Sequence, residues 1–323
     1  MDVTAELMQT TLLGIEIGGT KLQIVNGDDA GRIIERRRFE VDRKQGGAGI
    51  REQIRKALDE LVPATRPVAI GVGFGGPVDW SAGRIYRSHQ IEGWEDFPLR
   101  DWLQSLSGVP VAADNDANTA TLGETLHGAG RGLNPVFYVT LGSGVGGGLV
   151  LDGRIYHGAK PGESEIGHVR LDRRGTTVES RCSGWAVDAR IRELKKTQPQ
   201  SLLARLTAGA PGGEARWLAP ALAEGDPAAR SLLGEIAEDL GFALSHVVHL
   251  FHPEAILLGG GLSLVGEPLR AGVEAALREF TMDAFAPGPQ IRLAALGEDA
   301  VPVGALELGK GAVLSTQRGG GGT

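Results

Sequence analysis

The chain has 323 residues, enough for two domains each with a core of its own, and its 41% hydrophobic and 23% charged content is ordinary for a globular protein in water. A formal net charge of -7 argues against nucleic acid as a partner, and the single cysteine, Cys182, excludes an intrachain disulfide and suits a reducing cytoplasm. No apolar run approaches the ~18 residues of a membrane span, and acidic Asp2 and Glu6 fit no export leader, so neither membrane nor secretion is expected. Glycine stands out: its 50 residues are about twice the usual ~7% share, and they cluster after apolar runs, as backbone approaching a ligand requires.

In chain order, 12–17 predicts a strand, Gly18-Gly19-Thr20 a tight turn and 21–26 a second strand. Residues 32–41 supply a third, in which Arg36-Arg37-Arg38 reads as a solvated edge. The turn exposes backbone N–H groups and one hydroxyl, and bare glycines let a phosphate approach; an ordinary hairpin is the simpler reading of this stretch alone. Glu16, just before it, would aim a carboxylate into the same space, where a phosphate site needs an acid for Mg²⁺, often through water. Residues 50–61 predict an amphipathic helix on the stripe Ile50, Ile54, Leu58 and Leu61. A buried strand over 67–72 runs into Gly73-Phe74-Gly75-Gly76-Pro77, a rigid glycine loop. A polar loop, 88–94, and a short helix, 97–106, follow.

Residues 109–113 then predict a strand and 117–126 a helix, which sets Asp114-Asn115-Asp116-Ala117-Asn118 at a strand-to-helix turn. In open α/β sheets ligands gather there. A carboxylate at a helix N-terminus is favoured as the anion, the state a general base needs, and Asp116 is read as that base. Plain helix capping by Asp114, Asn115 and Asp116 is the competing reading.

Residues 128–135 read as a hinge. The strand 136–141, the glycine run 142–148 and the strand 149–151 then repeat the opening unit, which suggests two related halves facing each other across a cleft. No helix follows Gly148, so a dinucleotide-binding reading fails. Glu165 and His168 could reach one small polar ligand from a single turn, or form a surface turn only. A helical region spans 183–194, 201–206 and 214–222. The strongest helix starts at Asp226-Pro227 and carries the face Leu233, Ile236, Leu240, Leu244 and Val247. His246 and His249 on it lack a third metal ligand of clear spacing. A strand over 255–258 opens onto Gly259-Gly260-Gly261, where a flat base or ribose could lie on backbone. A helix over 266–280, a strand over 290–295, a closing helix over 303–314 and a disordered tail, 315–323, complete the reading.

The stretches LGIEIGGTK (13–21), DNDANTATLGE (114–124), VTLGSGVGGG (139–148), ESEIGH (163–168) and HPEAILLGGGLS (252–263) together resemble the ROK family (repressor, open reading frame, kinase) of sugar kinases, over residues 12 to about 314. The resemblance implies an α/β, actin-like fold with two domains of related topology, 1–130 and 131–302. The helix 303–314 would return to the first, and ATP and sugar would occupy the cleft. It implies Asp116 as catalytic base, Gly18, Gly19 and Thr20 as one phosphate loop, and Gly142, Ser143 and Gly144 as the other. Gly259, Gly260 and Gly261 would hold adenosine, and Gly76, Gln90, Asn115, Asp116, Glu165, His168 and Glu179 the sugar. Glu16 would serve Mg²⁺, through water. A homodimer is usual for such proteins.

The departures from the pattern matter as much. Family members with a zinc site build it from the His of E-x-G-H and a cysteine-rich run, but the segment between His168 and Glu179 holds no cysteine, and Cys182 lies beyond it. Structural zinc needs four ligands, so none is expected. Glu16 stands for the usual Asp, Gln90 for the usual Asn, and Glu163-Ser164 for a small Ala-Gly pair. The expected activity is ATP- and Mg²⁺-dependent phosphorylation of a hexose, glucose at its 6-hydroxyl first, with N-acetylmannosamine, fructose and allose as alternatives. Polyphosphate stays open as a donor, since glycine loops read phosphates rather than the base. A catalytically silent sugar-binding protein is one competitor. A sugar-responsive repressor is another, though it would need a DNA-binding helix-turn-helix, and about eleven residues precede the first strand.

Overall fold

Alternating apolar runs and glycine turns build two similar sheets, one in each of two units. The structure, a computed structural model, describes residues 10–88, 90–160, 162 and 164–319. One unit comprises Met1–His127, His157–Glu163 and Glu298–Thr323; the other comprises Gly128–Tyr156 and Ser164–Gly297.

In the first unit β1 (Thr11–Ile17), β2 (Lys21–Asp28) and β3 (Ile33–Glu40) form an antiparallel meander. Helix α1 (Gly46–Thr65) crosses to β4 (Ala69–Phe74), which lies parallel to β1. After the small hairpin β5 (Val78–Asp79) and β6 (Arg84–Ile85), α2 (Leu99–Ser107) leads to β7 (Val111–Asn115), parallel to β4, and α3 (Asp116–His127) follows without a break. The strand order is β3-β2-β1-β4-β7. The predicted stripe of α1 is buried, and each such leucine or isoleucine contributes about 1.5–3 kcal/mol. The Arg36–Arg38 run lies on edge strand β3, where Arg36 pairs with Asp299, Arg37 with Glu60 and Arg38 with Glu298.

The second unit repeats the plan. The antiparallel pair β8 (Val136–Leu141) and β9 (Val145–Leu151) is extended by β10 (Arg154–Ile155). Helices α4 (Val178–Cys182), α5 (Gly184–Thr197), α6 (Leu202–Leu206), α7 (Leu218–Ala223) and α8 (Pro227–Phe251) precede β11 (Ala255–Gly259). Helix α9 (Glu267–Phe280) then connects to β12 (Gln290–Leu293), and the order is β10-β9-β8-β11-β12. Helix α8 starts as its sequence dictates: the Asp226 carboxylate accepts from Ala228 N, and Pro227 sits in the first turn, where its missing N–H costs nothing. All five residues of its expected apolar face are buried. His246 contacts the Phe242 carbonyl and His249 accepts from Met282 N, so both rings serve local packing.

Several expectations need correction. Helix α10 (Ala300–Gly319) begins three residues before 303 and runs on past 314, because Pro302 lies in the first turn and no breaker stands at 315–318. Residues 315–319 are thus helical backbone, while 320–323 lie outside the described residues, as does Glu163. Segment 157–163, expected with the second domain, belongs to the first unit. Strand β9 starts at Val145, inside the glycine run: a β-carbon on Gly147 would lie 2.8 Å from Ser164 O, so that glycine serves packing. The same is true of much of the glycine excess in the first unit. A β-carbon on Gly71 would lie 1.7 Å from Ala305 O, one on Gly73 2.5 Å from Val301, and one on Gly304 1.8 Å from Thr119 O. These bare positions let α10 lie directly on β4 and α3.

Candidate active site

In the first unit the expected residues gather at the turn joining β1 to β2. Gly18 N donates to Lys21 O at 2.9 Å and closes the turn, leaving Thr20 exposed at its tip. Gly75 N donates to Ile17 O at 2.8 Å, which brings the glycine loop after β4 alongside. A β-carbon on Gly75 would lie 3.5 Å from Asp116 Oδ2 and 3.6 Å from the α-carbon of Gly18. Gln90 fills the space above Gly19, whose β-carbon would lie 1.8 Å from its Oε1. Gly18, Gly19, Gly76, Gln90, Asn115 and Asp116 therefore form one cluster, and Arg43, which the sequence did not flag, adds a guanidinium whose Nε donates to Gly19 O at 3.1 Å.

The acidic turn divides its tasks. Asn115, not an aspartate, caps α3: its Oδ1 accepts from Ala117 N at 2.8 Å and Asn118 N at 3.2 Å, while its Nδ2 donates to Gly76 O at 3.2 Å. Capping thus falls to a neutral side chain, and Asp116 is left half-buried at the positive end of the helix, its Oδ1 accepting from Ala117 N at 2.9 Å. Asp114 is buried and anchors the turn from below.

Glu16 is not an open ligand. Lys21 Nζ lies 3.2 Å from its Oε1, and Gln23, its register partner on β2, donates to Oε2. Burial raises its pKa above the usual carboxylate value, against the opposing pull of Lys21 and Gln23. A cation here would be met through water or after the Lys21 pair opens. Because the folded pKa is raised, the fold favours the protonated form: this contribution is fully present below about pH 4.5 and is lost as pH climbs through the raised value. Glu16→Gln is expected to remove that loss. Urea midpoints of the native protein should fall over this window while those of the variant stay flat; parallel curves would refute the assignment.

In the second unit the expected residues gather at the matching turn, β8 to β9. Gly142 N donates to Gly144 O at 3.0 Å, and Gly184 N to Gly142 O at 2.7 Å, so the start of α5 braces the loop. Ser143 is exposed at the tip. Gly260 has φ +80°, and its β-carbon would lie 2.6 Å from the Leu141 backbone, which presses the third glycine loop against the root of the second. Gly259 faces the Tyr138 hydroxyl. On the other side a β-carbon on Gly167 would lie 2.1 Å from Val145 O, so the turn bearing Glu165 and His168 is seated on the first residue of β9. Those two side chains are exposed and 3.9 Å apart.

Glu179 is the surprise of this unit. Its Oε2 accepts from Val145 N at 2.9 Å and fills the space beside Gly144, so the carboxylate latches the phosphate-type loop. If the loop at 142–144 holds the phosphates of ATP, as the resemblance implies, Glu179→Ala should raise the KM for ATP about tenfold, the worth of one charge-assisted bond, with a smaller effect on sugar. A rise confined to sugar would assign the carboxylate to sugar instead.

The segment before it, 169–177, is held by hydrogen bonds. Leu171 N donates to Thr176 O, Val178 N to Val169 O, and the Asp172 carboxylate accepts from the backbone of Arg174, Gly175 and Thr176. Thr177 and Ser180 then form a capping box for α4. Cys182 is buried in the core, and burial pushes its thiol up to about 12. Among the described residues no three His, Cys, Asp or Glu side chains converge on a metal position.

Two matched glycine turns, an acid at a strand-to-helix turn and a third glycine loop agree with a known family pattern: that of the ROK family covers residues 12–312. The chain belongs to the ROK family. It is 33% identical over 307 residues to a glucokinase of Halalkalibacterium halodurans, with 90% of this chain and 92% of that one covered. A Thermotoga maritima glucokinase is 28% identical, covering 92% and 96%. The crystal structure of a ROK family glucokinase from Streptomyces griseus with glucose and AMPPNP superposes with a TM-score of 0.81 at 30% identity, covering 93% of this chain and 99% of that one. The fold is the actin-like fold of ROK sugar kinases.

Proposed function

We propose that this ROK protein is an ATP-dependent glucokinase that phosphorylates the 6-hydroxyl of glucose, with Asp116 as general base. Its resemblance to glucokinases along nearly the full length of both chains supports the activity. The observation that carries the base assignment is the division of labour at α3: Asn115 caps the helix, which leaves the Asp116 carboxylate half-buried beside Gly75 and Gly18.

A sugar hydroxyl is a weak nucleophile near neutral pH. As its oxygen bonds to the γ-phosphorus, its proton passes to Asp116, the bond to the β,γ-bridging oxygen breaks, and ADP leaves. Backbone N–H groups of the turns at 18–20 and 142–144 are placed in this reading to cradle phosphate oxygens, and Gly259 to Gly261 to receive the adenosine. Mg²⁺ would supply charge neutralisation on the phosphates, with Glu16 holding its water shell. Glu165, His168, Gln90 and Asn115 are the proposed sugar contacts, the last by way of the same carboxamide that caps α3.

The test is a coupled ADP-release assay over glucose, N-acetylmannosamine, fructose and allose, with sugar phosphate formed from polyphosphate measured separately. Glucose with ATP should give the highest kcat/KM; no ADP release with any sugar would overturn the reading in favour of a silent sugar binder. The same reading makes the protein a cytoplasmic homodimer: the family resemblance supports the dimer, and a single cysteine suits a reducing compartment. Light scattering at twice the chain mass would bear out the dimer.

A further inference from the structure

The chain makes one excursion that neither sheet needs. It leaves the second unit after Tyr156, joins the first at His157, and returns at Ser164. His157 Nε2 donates to Asp114 Oδ2 at 2.6 Å, and its ring stacks on Trp80 with centroids 4.2 Å apart and planes 14° from parallel. Lys160 pairs with Asp79 at 3.1 Å, and Gly162 O accepts from Asn118 Nδ2 at 3.3 Å. Asp114 Oδ1 accepts from Asn115 N at 2.8 Å and Asn118 Nδ2 at 3.0 Å. Asp114 therefore ties three things together: the end of β7, the first turn of α3 and the excursion.

This arrangement is costly where packing alone would serve. The side chain of Asp114 is 5% exposed and that of His157 15%, and apolar residues of similar volume hold such a place at no desolvation cost. What the pair supplies is direction. It fixes one rotamer of Asp114, hence the backbone of Asn115 and the origin of α3, from which Asp116 projects.

We propose that His157 is a positioning residue of the kinase, which acts through Asp114 to hold the Asp116 carboxylate in its reactive orientation. The proposal rests on the reading of Asp116 as base. Misplacing a catalytic group by a fraction of its bond length lowers turnover without removing substrate contacts, and His157→Ala is expected to lower kcat about 10- to 100-fold.

The experiment measures kcat per sugar-binding site, with sites counted by calorimetric titration with glucose so that unfolded protein drops out. In His157→Ala glucose Kd should stay within about threefold of the native value while kcat falls. His157→Gln, whose amide can still donate to Asp114, should recover most of the loss. Trp80→Leu removes the stack while leaving no buried charge unpaired, so it keeps the test alive if His157→Ala does not fold; its kcat per site should fall several-fold. Native kcat per site in Trp80→Leu and in any folded His157→Ala overturns the proposal, as does a fall in kcat matched by an equal loss of glucose affinity. An Asp116→Asn enzyme that still turns over removes the base reading instead, whatever the His157 variants do.

Discussion

Replacing Asp116 with asparagine should lower kcat by about three orders of magnitude, near 4 kcal/mol of barrier, while glucose Kd changes little. The substitution keeps the size and the Oδ1 acceptor that meets Ala117 N, so the first turn of α3 is preserved. The helix also keeps its cap, since that task belongs to Asn115. What is removed is the negative charge and, with it, the capacity to take a proton. Turnover in a coupled assay and binding by calorimetry separate the two quantities, and a variant with near-native kcat would exclude Asp116 as base. Asn115→Ala makes the informative contrast: it should destabilise the protein by about 1 kcal/mol as a lost cap, and it should also misplace Asp116.

Gly260→Ala is expected to have a large effect on stability, a loss of about 2–5 kcal/mol. Two penalties coincide there. At φ +80° an alanine sits in a region that L-residues rarely adopt, and its β-carbon would lie 2.6 Å from the Leu141 backbone. Neither atom set is a flexible side-chain end, so β8 or the loop itself must shift, and the glycine turn at 142–144 shifts with it. The control lies next door. Gly261 has no positive φ, and a β-carbon added to it would meet open space within 4 Å, so Gly261→Ala should be nearly neutral. Thermal midpoints of the two variants should differ by roughly 5–10 °C; equal midpoints would refute the argument.

What could be read from the sequence was whatever short-range pattern encodes. Helix α8 announces itself by Asp226-Pro227 and an apolar stripe, and the two strand–glycine turn–strand units by their repetition. The turn at Asp114–Asn118 was placed, and Asn115 was one of three cap candidates, but the sequence could not choose among them, because Asn and Asp cap equally well and only the geometry decides. Two further features were beyond local reading. His157 meets a partner 43 positions away, and nothing in the run Tyr156-His157-Gly158 foretells it. Glycines were read as making room for a ligand, yet Gly71, Gly73 and Gly304 make room for a helix, and in a sequence the two uses look alike.

That last use of glycine bears on how the protein is made. The groove on β4 and α3 is lined by backbone and closes only when α10 fills it, and α10 is encoded after every residue of the second unit. During synthesis from the N-terminus, residues 128–297 can therefore complete their unit before the first unit, whose five strands are already made, gains the helix that covers them. Until residues beyond Gly297 leave the ribosome, the helix carrying Asp116 lacks one of its packing partners. A released chain truncated after Gly297 should bear a folded second unit and a first unit sensitive to protease.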